Sequence, residues 1–264
     1  MKRGTKDAIV TVAAAMAVVA VAFSGLYVYS GVWPPFSIVE SGSMQHSDRS
    51  SFATIDTGDA VVLRTPDKVD IRTYVDGYKD GYKRFGDYGD VIIYERAGKI
   101  PVIHRPVVWL DWNASTNHWE APSLVGFPAG KWECDNGLND PMMLSGKLTF
   151  IDYGFASQTV HLNLDALPKE SGYVTKGDNN PVFDQGSLVT GLVTEERVLF
   201  VAGFTVPWAG VLKLYLSGNQ DAISKIPPNS VPDMIAMTVA VLALLAAAFL
   251  IGDYVSWRRR KGKE

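Results

Sequence analysis

Two long uncharged apolar runs, one near each end of the chain, constrain the fold more than any other feature. The first covers residues 8–29 and the second covers residues 234–252. About 20 apolar residues in an α-helix rise about 30 Å, the thickness of the hydrocarbon core of a bilayer. We therefore predict transmembrane helices at residues 8–31 and 232–253. The first run is longer than the apolar core of a cleavable signal peptide, so we expect it to remain as an anchor.

Basic residues outside the two apolar runs indicate how the chain is oriented in a membrane. Lysine and arginine precede the first run, and the sequence RRRKGK follows the second at residues 258–263. Because cytoplasmic flanks carry the excess of Lys and Arg, we predict a cytoplasmic N-terminus at 1–7 and a basic cytoplasmic tail at 254–264. Residues 32–231 then form an extracytoplasmic domain on a two-span protein of the plasma membrane, with the lipid bilayer as a partner.

The composition of the outer domain excludes some classes of function. Acidic residues outnumber basic ones there, which leaves no basic footprint for nucleic acid. Cys134 is the only cysteine, so no disulfide can form within the chain. Its acidic neighbours disfavour a reactive thiolate. Asn113 begins the glycosylation sequon NAS, and the sequence leaves open whether it is modified.

Between the apolar runs the pattern is one of short β-rich segments separated by turn residues. They are rich in Val, Ile, Thr and aromatic residues and are bounded by Gly, Asp, Asn and Pro. We predict strands at 59–65, 90–96, 101–112, 147–155, 159–164, 172–177 and 197–206. We find no convincing helix among them. The expected fold is a mostly β domain of antiparallel sheets or a partial barrel between two transmembrane helices.

Two segments interrupt this series of strands. Residues 66–89 are polar and rich in tyrosine, and we interpret them as a segment that leaves the sheet between two predicted strands. Residues 113–146 mix Pro, Gly, Asn and Trp, and we interpret them as an insertion that forms a lid or subdomain of unknown role.

A serine pair and a few titratable residues are candidates for nucleophilic chemistry. The sequence VESGSMQHS, at residues 39–47, places two serines shortly after the first apolar run. A serine nucleophile needs a base and a group that orients the base. Of the four histidines, His104 lies in the apolar segment IPVIHRP, where a polar ring must find a partner. The turn KGDNN at 176–180 contains Asp178, and Asp184 follows, so either carboxylate can be aimed at an imidazole.

The order of these blocks resembles that of type I signal peptidases, in the serine–histidine branch found in archaea and the endoplasmic reticulum. Behind an N-terminal anchor come SGSM, two strands that open with Gly-Asp, VIHR, KGDNN with a trailing aspartate, and VPWAG. The resemblance covers roughly residues 38–63, 89–108, 172–187 and 197–216. It implies a mostly β, membrane-apposed catalytic domain without a metal or organic cofactor.

The resemblance also implies roles for particular residues. Ser43 matches the nucleophile, and the Ser41 hydroxyl would join the Ser43 N–H group in binding the oxyanion. His104 matches the general base, and Asp178 and Asp184 match the two family aspartates. Because a short carboxylate within a turn commonly bonds its own backbone, we expect Asp184 to orient His104 and Asp178 to shape the loop.

The implied function is a membrane-bound serine endopeptidase that removes signal peptides from exported preproteins at the outer membrane surface. The family cuts after small residues, in an Ala-X-Ala pattern. Its partners would be signal peptides, the bilayer and the protein translocation channel.

Two departures from the family pattern and two alternative readings stay open. One departure is the separation of His104 and Lys176 by 72 positions, which is longer than the family usually needs and supports the reading of 113–146 as an insertion. The chain continues Ser43-Met44 with QHSD, where the family usually has an acidic residue and proline, and this admits His46 as a rival base. A Ser43–Lys176 dyad is less favoured because the neighbouring acidic loop would hold Lys176 protonated. The non-enzymatic alternative is a two-span surface protein whose β-domain binds a partner. Accessory subunits, oligomeric state and the preprotein repertoire are not fixed by the sequence.

Overall fold

A computed structural model describes residues 3–189 and 191–261 of the chain. The helices are α1 (Arg3–Ser30), α2 (Tyr74–Asp80), α3 (Val211–Ser217), α4 (Gln220–Ile223) and α5 (Ser230–Lys261). α1 and α5 contain apolar spans at Val12–Ser30 and Ser230–Gly252, with mean hydropathies of 2.0 and 2.7. Of the side chains described in these spans, only Ser30 and Ser230, at the ends next to the domain, are buried in the protein. Both helices are long and apolar enough to cross a membrane. Lys2 and Lys263, which the orientation argument uses, lie outside the described residues.

The domain between α1 and α5 is built mainly from β-strands. They are β1 (Phe36–Ile38), β2 (Ala60–Arg64), β3 (Lys83–Arg84), β4 (Asp87–Tyr88), β5 (Ile92–Arg96), β6 (Lys99–Asn113), β7 (His118–Glu120), β8 (Trp132–Cys134), β9 (Lys147–Tyr153), β10 (Gln158–Asn163), β11 (Gly172–Lys176) and β12 (Val198–Val206). The predicted strands correspond to β2, β5, β6, β9, β10, β11 and β12. The expectation of a mostly β domain is confirmed.

Antiparallel pairing joins these strands into three sheets. The largest has the order β1-β2-β12-β5-β6-β11, with β7 added to the long strand β6. A second sheet has the order β10-β9-β8, and β3 pairs with β4. The central strands of the large sheet carry the Val- and Ile-rich segments, because side chains there are covered on both faces.

The expectation that the outer domain contains no helix is wrong, since α2, α3 and α4 are present. α2 begins after Thr73, whose side chain accepts a hydrogen bond from the Asp76 N–H group while the Asp76 carboxylate accepts from Thr73. It ends at Gly81, which adopts a left-handed conformation with φ of 80°. Helices this short show too few residues for an apolar period of 3.6 to be recognised.

The segment 113–146 contributes to the largest of three hydrophobic clusters found among the described residues. Trp119 and Trp132 are buried in a cluster with residues of β6, β9 and β10. Cys134 is buried in the same cluster, and its thiol donates to the Ser145 carbonyl at 3.0 Å. The segment is therefore packed into the domain, and its origin as an insertion stays a prediction.

The apolar helices are fastened to the large sheet by backbone and side-chain hydrogen bonds. The Thr65 N–H group donates to the carbonyl of Ser30, the last residue of α1, and the Lys68 ammonium donates to the Val28 carbonyl. Just before α5, the Asn229 side chain both accepts from and donates to the backbone of Ser50. These contacts hold the end of α1 against the segment that follows β2, and the beginning of α5 against the connection between β1 and β2, which carries the candidate nucleophile.

Candidate active site

Ser41 and Ser43 lie in a tight turn between β1 and β2. The turn is closed by a hydrogen bond from the Gln45 N–H group to the Gly42 carbonyl at 3.2 Å. The two serine hydroxyl oxygens are 3.2 Å apart, while the next side chain, Met44, is buried. Met44 therefore anchors the turn in the core and leaves the serine hydroxyls at its surface.

The turn after β11 is hydrogen-bonded to the backbone of the turn that contains Ser41 and Ser43. The Asn179 N–H group donates to the Ser43 carbonyl at 2.8 Å, and the Asn179 side-chain amide donates to the Gly42 carbonyl at 3.0 Å. A Cβ at Gly177 would lie 2.7 Å from His104 Nε2 and 2.8 Å from the Ser43 carbonyl oxygen. Glycine is required there because the imidazole and the serine turn approach each other across its backbone.

His104 is held in a defined orientation on β6. Its Nδ1 lies 2.7 Å from Asp184 Oδ2, and both side chains are almost fully buried. The Tyr94 hydroxyl donates to the same carboxylate oxygen at 2.8 Å. An imidazole that donates from Nδ1 to a carboxylate leaves Nε2 free to accept a proton. In the structure this nitrogen is the one beside the backbone of Ser43.

No hydrogen bond within 3.5 Å joins Ser43 Oγ to His104 in the described structure, in which the Ser43 hydroxyl is hydrogen-bonded to that of Ser41. Both residues nevertheless line the same cavity. Catalytic hydrogen bonds are often long in free enzymes and shorten when substrate binds. The arrangement is thus compatible with proton transfer from serine to histidine after a small movement.

Donors for a negatively charged oxygen are present beside Ser43. Within the described part of the chain, the Ser43 N–H group has no hydrogen-bond acceptor, and the Ser41 hydroxyl bonds only to Ser43. Both groups therefore remain free to donate to an oxyanion, the role that such donors have in acyl transfer.

Asp178 belongs to a separate, buried cluster. Its carboxylate accepts from Arg105 Nε and Nη2 at 2.8 and 2.6 Å, and it lies 2.8 Å from His46 Nε2. Burial by itself would raise the pKa of Asp178, but the Arg105 guanidinium and the His46 ring outweigh it and hold the pKa below its usual range. Arg105 follows His104 on β6, so the two side chains lie on opposite faces of the strand.

The rival base His46 lies in this second cluster. Its ring stacks on Phe155, with centroids 4.0 Å apart and an interplanar angle of 11°. The ring nitrogen Nε2 is already engaged by Asp178, and His46 does not line the cavity that contains Ser43. This geometry gives His46 a structural role between the serine turn and the Asp178 turn.

The alternative base Lys176 also faces away from the cavity. Its ammonium group donates to the carbonyls of Gly177 and Asp178 at 3.1 and 3.2 Å. It pairs directly with Arg105 across β11 and β6, and therefore lies on the face opposite His104. The neighbouring carboxylates favour the ammonium form, as expected from the sequence, but burial outweighs them and lowers the pKa of Lys176 to about 8.

The cavity beside Ser43 has a volume of about 660 Å³. Its walls are largely apolar, with polar groups from Ser41, Ser43, His104 and Asn180, and charged residues at Glu40, Arg96, Lys213 and Asp221. Part of the wall comes from β1, an edge strand of the large sheet. Within the described residues no cluster of three His, Cys, Asp or Glu side chains is placed to hold a metal ion.

A buried carboxylate, Asp59, orders the segment that follows the serine turn. One oxygen accepts from the Asp56 N–H group at 3.1 Å, and the other accepts from the Trp208 N–H group at 3.0 Å. Burial raises the pKa of Asp59 to about 7, and these two backbone hydrogen bonds offset only part of that effect. The carboxyl group thus links the beginning of β2 to the loop before α3.

Sequence reasoning missed three residues that support the site: Tyr94, Arg105 and Asn179. Tyr94 lies two positions after Ile92 in a predicted strand, so the two side chains share one face. This spacing predicted that Tyr94 is buried but did not indicate its hydrogen-bond partner. Arg105 adjoins His104, and its burial was signalled only by the apolar residues around it.

Comparison with known proteins finds no matching family model and no matching curated protein for this sequence. The resemblance to signal peptidases therefore remains a proposal that stands on the residues and contacts described above.

Replacing His46 with alanine should destabilise the fold more than it slows any reaction at Ser43. The change removes a hydrogen bond to a buried carboxylate, and we expect a loss of about 1.5–3 kcal/mol of unfolding free energy. Thermal unfolding of the purified variant measures this loss. The control is His161→Ala, whose exposed ring bonds only the uncharged Thr149 hydroxyl, so that its loss should cost less, about 0.5–1.5 kcal/mol. Full stability with complete loss of activity at Ser43 would instead identify His46 as the base.

Asp59 should make stability fall as the pH rises from about 4 to 7. The unfolded chain releases this proton near 3.8, the ordinary pKa of an aspartic acid side chain, whereas the folded chain keeps it up to a pKa of about 7. Folding therefore takes up a proton in this window, and its contribution to stability is lost as the pH rises through 7. Across this range the melting temperature of wild type should fall relative to that of Asp59→Asn, which has no proton to release at this position. A constant difference, as expected for the exposed control Asp67→Asn, would contradict the assignment.

Proposed function

We propose that this chain is a membrane-bound serine endopeptidase of the type I signal peptidase class that removes signal peptides from exported preproteins. The observation that carries the proposal is the contact of His104 with Asp184 beside the Ser41–Ser43 turn, with the serines and the imidazole on one cavity wall. The same turn follows closely on α1, which is long and apolar enough to anchor the domain in a membrane.

The proposed mechanism assigns each group a role in acyl transfer. Ser43 Oγ attacks the carbonyl carbon of the scissile peptide bond while His104 Nε2 takes the hydroxyl proton. Asp184 holds the His104 Nδ1–H group and stabilises the imidazolium. The Ser43 N–H group and the Ser41 hydroxyl bind the oxyanion.

His104 then returns its proton to the leaving amine, which frees the mature protein and leaves the signal peptide bound to Ser43 as an ester. A water molecule, deprotonated by His104, hydrolyses this ester and regenerates the serine hydroxyl.

The cavity is suited to an extended peptide substrate. An edge strand has unpaired backbone groups, and a peptide in extended conformation can add to it by β-augmentation. β1 is such a strand, and Ser37 and Ile38 at its end line the cavity. The apolar walls favour the uncharged residues that precede a signal-peptide cleavage site. The preference for small residues remains an implication of the resemblance.

The proposal includes a membrane arrangement. α1 and α5 cross the plasma membrane with both termini in the cytoplasm, and residues 32–231 lie outside as the catalytic domain, whose sheets form the partial barrel that the strand pattern of the sequence indicates. Ser43 then acts close to the outer surface, where the cleavage site of a signal peptide emerges from the translocation channel.

Ser43→Ala and His104→Ala should each abolish preprotein cleavage, because two groups that act as a unit fail together. Ser41→Ala should slow cleavage by about 10²–10³-fold, the usual cost of one oxyanion donor. The test incubates each purified variant in lipid with a preprotein and identifies the new N-terminus by mass spectrometry. The control His118→Ala, at the start of β7 and outside the lining of the cavity, should retain activity. Cleavage by Ser43→Ala protein would rule out the serine mechanism, and inactive wild type would favour the partner-binding alternative.

The two aspartate variants should separate activity from stability. Asp184→Asn should lose about 10⁴-fold in rate, because the amide cannot maintain the catalytic tautomer of His104. Asp178→Asn should cost about 3–5 kcal/mol of stability, because it leaves the fully buried Arg105 without its counter-charge. Cleavage rates and melting temperatures of both variants test this separation. A stable, inactive Asp178→Asn protein together with an active Asp184→Asn protein would reverse the roles.

A further inference from the structure

Tyr94 is held in the middle of the large sheet by paired strands on both sides. It lies opposite Val198 of β12 and Val102 of β6, and its side chain is fully buried. The ring packs in a hydrophobic cluster that also contains Ile92 and Val201. Groups carried by packed strands are placed more precisely than groups carried by loops. The position of the Tyr94 hydroxyl is therefore set by the sheet.

Asp184, by contrast, lies in the loop that follows β11. Its N–H group donates to the Thr175 carbonyl at 2.9 Å, which fixes the main chain but does not set the direction of the carboxylate. The Tyr94 hydroxyl and His104 Nδ1 both contact Oδ2 of this carboxylate, at 2.8 and 2.7 Å. Because Ile92 lies directly opposite His104, Tyr94 stands diagonal to His104 on the same face of the sheet. Two neighbouring strands thus direct two polar groups at one oxygen.

The hydrogen bonds around the Tyr94 hydroxyl have a defined direction. The Gln185 side-chain amide donates to the Thr175 hydroxyl at 3.3 Å, and that hydroxyl donates to the Tyr94 oxygen at 3.5 Å. Burial raises the pKa of Tyr94 above its usual range, and the negative charge of Asp184 adds to this effect. The phenol therefore stays protonated in neutral solution and donates its one proton to Asp184.

A buried tyrosine hydroxyl needs a partner in any protein core, and that need alone explains many such contacts. The choice of partner distinguishes this one. Tyr94 does not line the cavity beside Ser43, yet it binds the same carboxylate oxygen that contacts His104. A hydrogen bond to a carboxylate favours its charged form and takes up part of its charge. Tyr94 thus acts on the group that faces the imidazole without touching a peptide in the cavity.

We propose that Tyr94 is a positioning residue of the proposed peptidase, which aligns the Asp184 carboxylate with His104 Nδ1 and limits the negative charge that the imidazole meets. The alignment favours the tautomer in which Nε2 accepts the serine proton. The limit on the charge keeps the imidazolium from being stabilised too strongly, so that His104 is available as a base at lower pH. The inference rests on the proposed function, because it gives Tyr94 a part in the same reaction.

Removal of the Tyr94 hydroxyl leaves the other charged groups around this pair in place. β12, the other neighbour of β5, contributes no titratable side chain. The remaining charged groups are Arg96 on β5, Arg105 on β6, Lys176 on β11, Asp178 in the turn after β11, and Glu40, Lys213 and Asp221 in the cavity wall. Within the described structure, none of them is hydrogen-bonded to the Tyr94 hydroxyl. A change in the pH profile of a Tyr94 variant is therefore assigned to the lost hydrogen bond to Asp184.

The test compares Tyr94→Phe with Tyr74→Phe in full-length protein in lipid, with a preprotein as substrate. Each change removes a buried hydroxyl that has a hydrogen-bond partner, and Tyr74 lies in a different hydrophobic cluster, where it accepts from the Gly154 N–H group at 3.2 Å. We expect Tyr94→Phe to lower kcat about 10- to 100-fold with KM unchanged, the loss that follows from one hydrogen bond to a charged group. Tyr74→Phe should change neither constant.

The pH profile of kcat/KM separates positioning from a merely structural role. Without the Tyr94 hydroxyl, Asp184 stabilises the imidazolium more strongly, so the lower limb of the profile should move up by about 0.5–1 pH unit. A ring-fluorinated tyrosine at position 94 keeps the shape of the side chain and has a more strongly donating hydroxyl. It should move the limb to lower pH, and it replaces Tyr94→Phe as the test if that variant folds poorly.

A double-mutant cycle tests whether Tyr94 acts through the carboxylate. In the Asp184→Asn background, measured in single turnovers with enzyme in excess, Tyr94→Phe should cause no further loss of rate. A further loss as large as that in wild type would overturn the inference.

The remaining outcomes keep the inference distinct from the proposed function. Active wild type with the same kinetics and the same pH profile in Tyr94→Phe and Tyr74→Phe would overturn the inference and leave the peptidase proposal intact. A limb that the fluorinated residue does not move would likewise overturn it. Wild type that fails to cleave the preprotein would overturn the proposed function, and the inference with it.

Discussion

The buried pair of Arg105 and Asp178 is the interaction on which the rest of the site depends. A fully buried guanidinium must have all its donors satisfied, since an uncompensated charge in the interior is very costly. Arg105 bonds Asp178 with Nε and Nη2, and its Nη1 donates to carbonyls at Arg84, Tyr88 and Gly89. The hydrogen bonds of this one side chain therefore fix the positions of β6, the β3–β4 hairpin and the turn after β11 relative to one another.

The turn after β11 then holds the two serines in position. Asp178 contacts the Met44 sulfur through its N–H group, and Asn179 bonds the backbone of Gly42 and Ser43. The alternation of side chains along β6 sends His104 to one face and Arg105 to the other. His104 contacts Asp184, and Arg105 contacts Asp178. The charge that stabilises the interior is thereby kept apart from the imidazole available for proton transfer.

The sequence predicted the strands better than it predicted the contacts that support the candidate site. β-Branched and aromatic runs between turn residues are strong local signals, and β5, β6 and β12 follow them closely. The His104–Asp184 contact joins residues 80 positions apart, so spacing indicated a candidate but not the partner. The short helices α2 and α3 gave no periodic signal, and the buried tryptophans of residues 113–146 were masked by the surrounding Gly, Pro and Asn.

A continuous series of backbone hydrogen bonds determines how far Ser43 lies from the end of α1. The series begins where Thr65 donates to Ser30, continues where Leu63 donates to Pro35, and includes the pairing of β1 with β2. It ends where Val39 and Gly58 bond across the strands, shortly before Ser41. Backbone bonds of this kind do not depend on side-chain identity. The distance of the serine turn from the end of α1 is therefore set by the sheet, and substitutions in the cavity walls can change the shape of the cavity without moving the turn along this axis.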